Sequence, residues 1–253
     1  MAPPTLLLLL LLLPSTSSST PTNLLLTGDI LRSNTQLSAR NAALKLHNDC
    51  NLAIYNPTLH FQSNTRNLLS TNCTLTLTHR GQLLIQTPNR SPIWSSSPPN
   101  HIGLYAALLR PDGHLSIYGP SIWSTPRLAS PAPTNHSPTI SRNHIFSSQV
   151  LYDNSKLVSG EYSLVMTNDC SLELVRASEG VVWESETKGK GKNCFLRLDQ
   201  RGQLAIVDEG LKIVWASKAG DVDGFYVLVV QSDGRAAVYG PAIWSTAASS
   251  VLY

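Results

Sequence analysis

Residues 110–125, RPDGHLSIYGPSIWST, return at 231–246 as QSDGRAAVYGPAIWST, a displacement of 121. HNDCNLAIY (47–55) returns as TNDCSLELV (167–175), and LLTGDILRSNTQL (25–37) as IFSSQVLYDNSKL (145–157), each displaced by 120. Two homologous units must therefore sit in tandem, each of about 110 residues. The intervening stretch 126–142 is rich in Pro and Ser and has no periodic apolar residues. It reads as a linker, leaving 23–125 and 143–248 as the expected domains.

A finer period runs inside each unit. NDCNLAIY, HRGQLLIQ and PDGHLSIY each place a turn before an alternating strand. Counting from Asp49, the equivalent positions are set at His79 and Asp112, steps of 30 and 33; in the second unit they are Asp169, Gln200 and Asp233. An aromatic follows each one: Phe61, Trp94 and Trp123, then Trp183, Trp215 and Trp244. One aromatic per third of a unit predicts that three converge on a shared centre, where they would supply much of each core. Turn residues recur every few positions and helical periodicity is scarce, so the expected class is all-β with threefold pseudo-symmetry.

The duplication also orders the cysteines. Four allow three connectivities, and only Cys50–Cys73 with Cys170–Cys194 repeats from one unit to the next, at separations of 23 and 24. Closing loops of that size stabilises each unit by roughly 3 kcal/mol in the chain-entropy description.

The N-terminus bears eight consecutive leucines, Leu6–Leu13, followed by PSTSSST. A bilayer span needs about 20 apolar residues. The run reads instead as a secretory signal over 1–22, which implies a secreted or vacuolar protein and an oxidising compartment that suits disulfides. No later run could span a membrane. The net charge of +3 is too small for a nucleic-acid footprint. It is unevenly divided: residues 21–130 hold 8 Lys+Arg against 3 Asp+Glu, and residues 131–253 hold 11 against 13. Opposite charge could draw the halves, or two chains, together.

The stretch LHNDCNLAIY places His47, Asp49, Asn51, Ala53 and Tyr55 at period two, so that they would share one strand face. Together with the triplets of aromatics and the tandem repeat, this pattern resembles Gln-x-Asp-x-Asn-x-Val-x-Tyr of the bulb-type mannose-binding lectins of monocot plants. The stretches DCNLAIY, FQSNT, CTLTLTHRGQLLI and YGPAIWST are similar to the tandem two-domain branch of aroid tuber lectins and curculin-like proteins. The resemblance spans about residues 23–247. It implies two β-prism II domains, a defence or storage role, mannose-containing glycans as partners, and neither cofactor nor metal.

A carboxylate can only accept, so Asp49 would take hydroxyl protons; Asn51 both donates and accepts, and Tyr55 adds a phenol. His47 stands where the family has Gln, and Ala53 where it has Val. By the same comparison Gln231, Asp233 and Tyr239 keep three of five positions, with Arg235 for Asn and Ala237 for Val. Arg110, Asp112, His114, Ser116 and Tyr118 keep two, and Thr167, Asp169, Ser171, Glu173 and Val175 keep one. Leu77, His79, Gly81, Leu83 and Ile85, like Leu198, Gln200, Gly202, Leu204 and Ile206, offer a sugar nothing useful. The expected carbohydrate contacts are therefore His47, Asp49, Asn51 and Tyr55, with Gln231, Asp233 and Tyr239.

Catalysis is a poor fit: a glycosidase needs two carboxylates facing across a cleft, and no GxSxG, HExxH or phosphate-loop text is present. The main alternative is a lectin scaffold without sugar affinity, acting by protein contacts or storage, as a homo- or heterodimer with exchanged C-terminal strands.

Overall fold

The computed structural model describes residues 23–66, 70–97, 100–127 and 142–247. The expected signal segment and most of the linker lie outside these residues. The described chain is all β, arranged as six antiparallel sheets of four strands.

In the first unit the first sheet is a meander of Gln36–Ala39, Ala42–Leu46, Leu52–Asn56 and Thr58–Gln62. The second joins Ile30–Arg32, Thr74–Leu77, Leu83–Gln86 and Pro92–Ser95. The third begins with Leu24–Leu26, Ala106–Leu109 and Leu115–Tyr118. Its fourth strand is Ala242–Ser245, from the far end of the chain, with Ile117 facing Trp244. The second unit repeats the plan, and its third sheet takes Ser121–Ser124 from the first repeat, with Trp123 facing Val238. Each repeat therefore completes the other. The packed units do not coincide with the sequence repeats, because the last strand of each has crossed over.

The exchange alters the aromatic triads expected from spacing. Phe61 and Trp94 meet Trp244 at 6.3 and 6.5 Å, and Trp183 and Trp215 each meet Trp123 at 5.9 Å. The expected partners, Trp123 and Trp244, have changed places. These rings are only partly buried and pack against the aliphatic core. Alternating aliphatic residues fill the centre: Leu44, Leu46, Leu52, Ile54, Leu75, Leu77, Leu83 and Ile85 are all at 0% exposure. Each such side chain contributes about 1.5–3 kcal/mol, so leucine rather than tryptophan dominates the core.

The crossovers start at Gly119 and Gly240, at φ +139° and +147°. A Cβ there would lie 2.6 Å from the Tyr105 ring and 2.5 Å from the Tyr226 ring. Both the backbone angle and the space require glycine.

The third sheets of the two units pack face to face. Leu24, Ala106, Leu108 and Tyr118 meet Val227, Val229, Ala237 and Tyr239 in one buried cluster. The Arg110 guanidinium lies 5.5 Å from the Phe146 ring centre, a cation–π contact across the junction. The halves are joined by apolar area and exchanged strands, more than by the opposite charges counted in sequence.

Candidate functional site

The motif LHNDCNLAIY is not a single strand. Leu46 ends one strand and Leu52 begins the next, and residues 47–51 form the tight turn between them. The His47 amide donates to Asn51 O (2.9 Å) and the Cys50 amide to His47 O (3.0 Å). Cys50 takes φ +66° and its disulfide to Cys73 anchors the turn to the second sheet. His47, Asp49 and Asn51 thus stand on a loop, and only Ala53 and Tyr55 lie on the strand behind it.

Each side chain has a distinct tie. Asp49 is exposed, and its Oδ1 accepts from the Asn51 amide at 3.1 Å, which closes the turn. Its other oxygen has no partner among the described residues. The Asn51 carbonyl oxygen accepts from the Thr65 amide (3.2 Å) and the Ser63 hydroxyl (3.3 Å). That leaves its amide nitrogen without a protein partner among the described residues. Tyr55 Oη lies 3.0 Å from His47 Nε2. Lys45, paired with Ala53 across the sheet, adds a cation beside the floor that the sequence motif does not include. The result is an edge with one free carboxylate oxygen on exposed Asp49, a half-buried braced phenol at Tyr55, and behind them the amide of Asn51, itself only 4% exposed.

The corresponding turn of the second unit is closed. Thr167 Oγ1 takes over the turn, donating to Asp169 Oδ1 (2.5 Å) and accepting from the Ser171 amide (3.0 Å). Lys188 Nζ occupies Asp169 Oδ2 at 3.0 Å. The Thr167 hydroxyl, and after it Lys188, hold the Asp169 carboxyl below its ordinary range. Ser171 is fully buried and its hydroxyl has no partner among the described residues. No phenol is present at Val175.

The third turn of the second unit brings Gln231, Asp233 and Tyr239 together, but of the three only Asp233 reaches solvent. Gln231 donates to Tyr239 Oη at 2.8 Å, matching the His47–Tyr55 pair. Gln231 is at 0% exposure and Tyr239 at 2%, under the opposing sheet of the other unit. Burial pushes the Tyr239 phenol up to about 12. Arg235 ties up Asp233 at 2.7 Å. Burial of Gln231 and Tyr239, and the ion pair at Asp233, argue against the expectation that these three receive a sugar. Tyr118, at 3% exposure, is covered by the same junction.

The second turns need a different correction. The Thr78 amide donates to Gln82 O and the Gly81 amide to Thr78 O, at 2.9 and 3.1 Å. Gly81, at φ +69°, thus matches Cys50, and Arg80 rather than His79 matches Asp49. Asp199, Arg201 and Gln203 follow the same scheme in the second unit. The sequence register was one residue out, which exchanges the two faces of a strand. Leu77, Leu83, Ile85, Leu198, Leu204 and Ile206 are core residues at 0–1% exposure. Thr78, Arg80, Gln82, Leu84 and Gln86 form the outward set.

No family model matches the chain. It is 47% identical to mannose-specific lectin 2 of Crocus vernus over 241 residues, covering 90% of this chain and 89% of that protein. Identity is 42% over 229 residues to mannose-specific lectin 2 of Colocasia esculenta, covering 89% and 85%. The chain belongs to the monocot mannose-specific lectin family. Among solved structures, the fetuin-binding Scilla campanulata agglutinin, a two-domain lectin, superposes with a TM-score of 0.79 at 29% identity. That likeness covers 88% of this chain and 99% of the agglutinin, so it extends over both units. The β-prism expected of a bulb-type lectin is thus the observed fold, and the family is non-enzymatic.

Within this lectin framework concavity is a poor guide. A depression of about 420 Å³ lies between Gly189–Lys192 and Asp208–Gly210, away from the 47–51 turn. Among the described residues no cluster of His, Cys, Asp or Glu could hold a metal, and no helix is long and apolar enough to cross a membrane.

Proposed function

We propose that the protein is a mannose-binding lectin whose working site is the 47–55 turn and strand of the first unit. The observation that carries this reading is the free oxygen of exposed Asp49 beside the uncommitted amide of Asn51 and the His47–Tyr55 pair. Asp49 accepts a hydroxyl proton, Asn51 donates to a neighbouring hydroxyl, and Tyr55 engages a third. His47 orients that phenol. Ala53 gives a smaller apolar floor than the family's Val.

One shallow site of this kind binds near millimolar, about −4 kcal/mol. Each lost hydrogen bond removes roughly 0.5–1.5 kcal/mol, so sites lacking two partners fall outside useful affinity. Export to the cell exterior or vacuole, and a homo- or heterodimer, belong to the same reading. Exposed Leu104 and Phe225, at matching places in the two repeats, give a dimer an apolar surface to cover.

The test is retention of the mature protein on mannan with elution by free mannose. Wild type is retained, and Asp49→Ala elutes at the void volume. Absence of wild-type retention would favour a scaffold for protein contacts or storage.

A further inference from the structure

The second sheet of the first unit carries a polar face that the mannose site does not use. Register places Arg32, Thr74 and Gln86 in one cross-strand row and Thr76 beside Leu84 in the next. Thr78, Arg80 and Gln82 stand on the turn at the end of this face, where His47, Asp49 and Asn51 stand on the first sheet.

The charge at the third position is inverted, and the local bonding explains how that is tolerated. In the first turn Asp49 closes the loop by accepting from the Asn51 amide. Here Thr78 Oγ1 does so, accepting from the Arg80 and Gln82 amides, both at 3.2 Å. The third side chain is thereby freed from a structural task, and an arginine fits.

Arg80 is exposed, and among the described residues its guanidinium bonds only to the Asn100 carbonyl, at 3.5 Å. No carboxylate lies within ion-pair reach of it among the described residues. Residues 21–130 contain only Asp29, Asp49 and Asp112 as acids. Asp49 and Asp112 belong to other turns, and Asp29 accepts from the Leu26 amide. Arg201, the equivalent residue of the second unit, differs. Its turn is closed by the Asp199 carboxylate at 2.8–2.9 Å, and Asp223 lies 3.7 Å from it. One arginine is compensated and the other is not.

The neighbours of Arg80 suit a sugar. Gln82 and Gln86 donate their amide nitrogens to the Ser97 and Arg90 carbonyls, at 2.6 and 3.1 Å. Their amide oxygens remain as acceptors for hydroxyls, and Leu84 occupies the apolar place that Ala53 holds on the first sheet.

We propose that this face binds an anionic saccharide, with the Arg80 guanidinium as the anchor for its carboxylate or sulfate. A planar guanidinium engages either group through two parallel hydrogen bonds, a geometry that a neutral sugar cannot match.

The experiment measures binding of the mature chain to 3′-sialyllactose, a sulfated lactose and plain lactose at about 0.15 M salt, where diffuse attraction is screened. Binding of either anionic sugar and not of lactose is expected, and the pair of probes tells carboxylate from sulfate recognition. Arg80→Gln should weaken that binding at least tenfold, while the same change at Arg127, an exposed arginine outside this face, leaves it unchanged. The proposal is overturned if neither anionic sugar binds. It is equally overturned if Arg127→Gln costs as much as Arg80→Gln, which would mark a diffuse basic surface.

Discussion

The turns at 47–51 and 167–171 have the same backbone and different chemistry. Both place a half-cystine at φ +66° or +70°, both tie it to the next sheet by a disulfide, and both keep the Asp two residues after the first turn position. In the first, Asp49 holds the turn with one oxygen and offers the other. In the second, Thr167 shares the turn and Lys188 takes the free oxygen. The residue matching Lys188 in the first unit is Arg66, and it is bonded to Gln62 at 2.8 Å instead. The comparison separates what folds the loop from what binds. Turn, disulfide and leucines survive in both units, while the set proposed to face a sugar survives in one.

The largest effect tests the shared part. Removing Cys50–Cys73 by a double Cys→Ala substitution should cost about 2–5 kcal/mol in denaturant unfolding and abolish mannan retention with no sugar-facing residue changed. Removal of Cys170–Cys194 should cost a similar amount. Retention after its loss would show that the second unit is dispensable for binding.

The junction that covers Tyr118, Gln231 and Tyr239 should respond to acid. Burial first, then the charges of Arg142 and Arg110, lower His144 from 6.5 to about 4. Because its folded value is depressed, its contribution is complete above pH 6.5 and is lost as pH falls from there toward 4. Stability should drop by up to about 3 kcal/mol over that window. His144→Asn should flatten the profile, as read by unfolding at several pH values.

For binding, Asp49→Ala should weaken mannose at least tenfold, about 1.4 kcal/mol, with a smaller loss of stability from the broken turn bond. Asp49→Asn keeps an acceptor for the Asn51 amide and should recover stability but not full affinity. The smallest effect sharpens the contrast. Lys188→Ala frees Asp169, yet Ser171 and Val175 still lack an amide and a phenol, so titration should show no new mannose site.

Much of this was legible in the sequence. The duplication gave the two repeats and the cysteine pairing, and turn spacing gave the all-β class, because each leaves a periodic mark. The second turns were misread by one residue because spacing was counted on Asp and His side chains. Counting on the left-handed residue gives Cys50, Gly81 and Gly113, each followed two positions later by Leu, and restores the register. The aromatic triads were assigned to the wrong units because strand exchange leaves spacing unchanged: Trp123 and Trp244 lie in nearly identical text. Gln231 and Tyr239 looked like binding residues because burial by an opposing sheet is a property of packing, and nothing local encodes it.

The most direct measurement is the stoichiometry of methyl mannoside binding to the monodisperse mature chain, by calorimetry or by NMR titration. One site per chain, lost in Asp49→Ala, is predicted. Two or more equivalent sites, or a single site that survives the substitution, would contradict the assignment of binding to the open turn at 47–51.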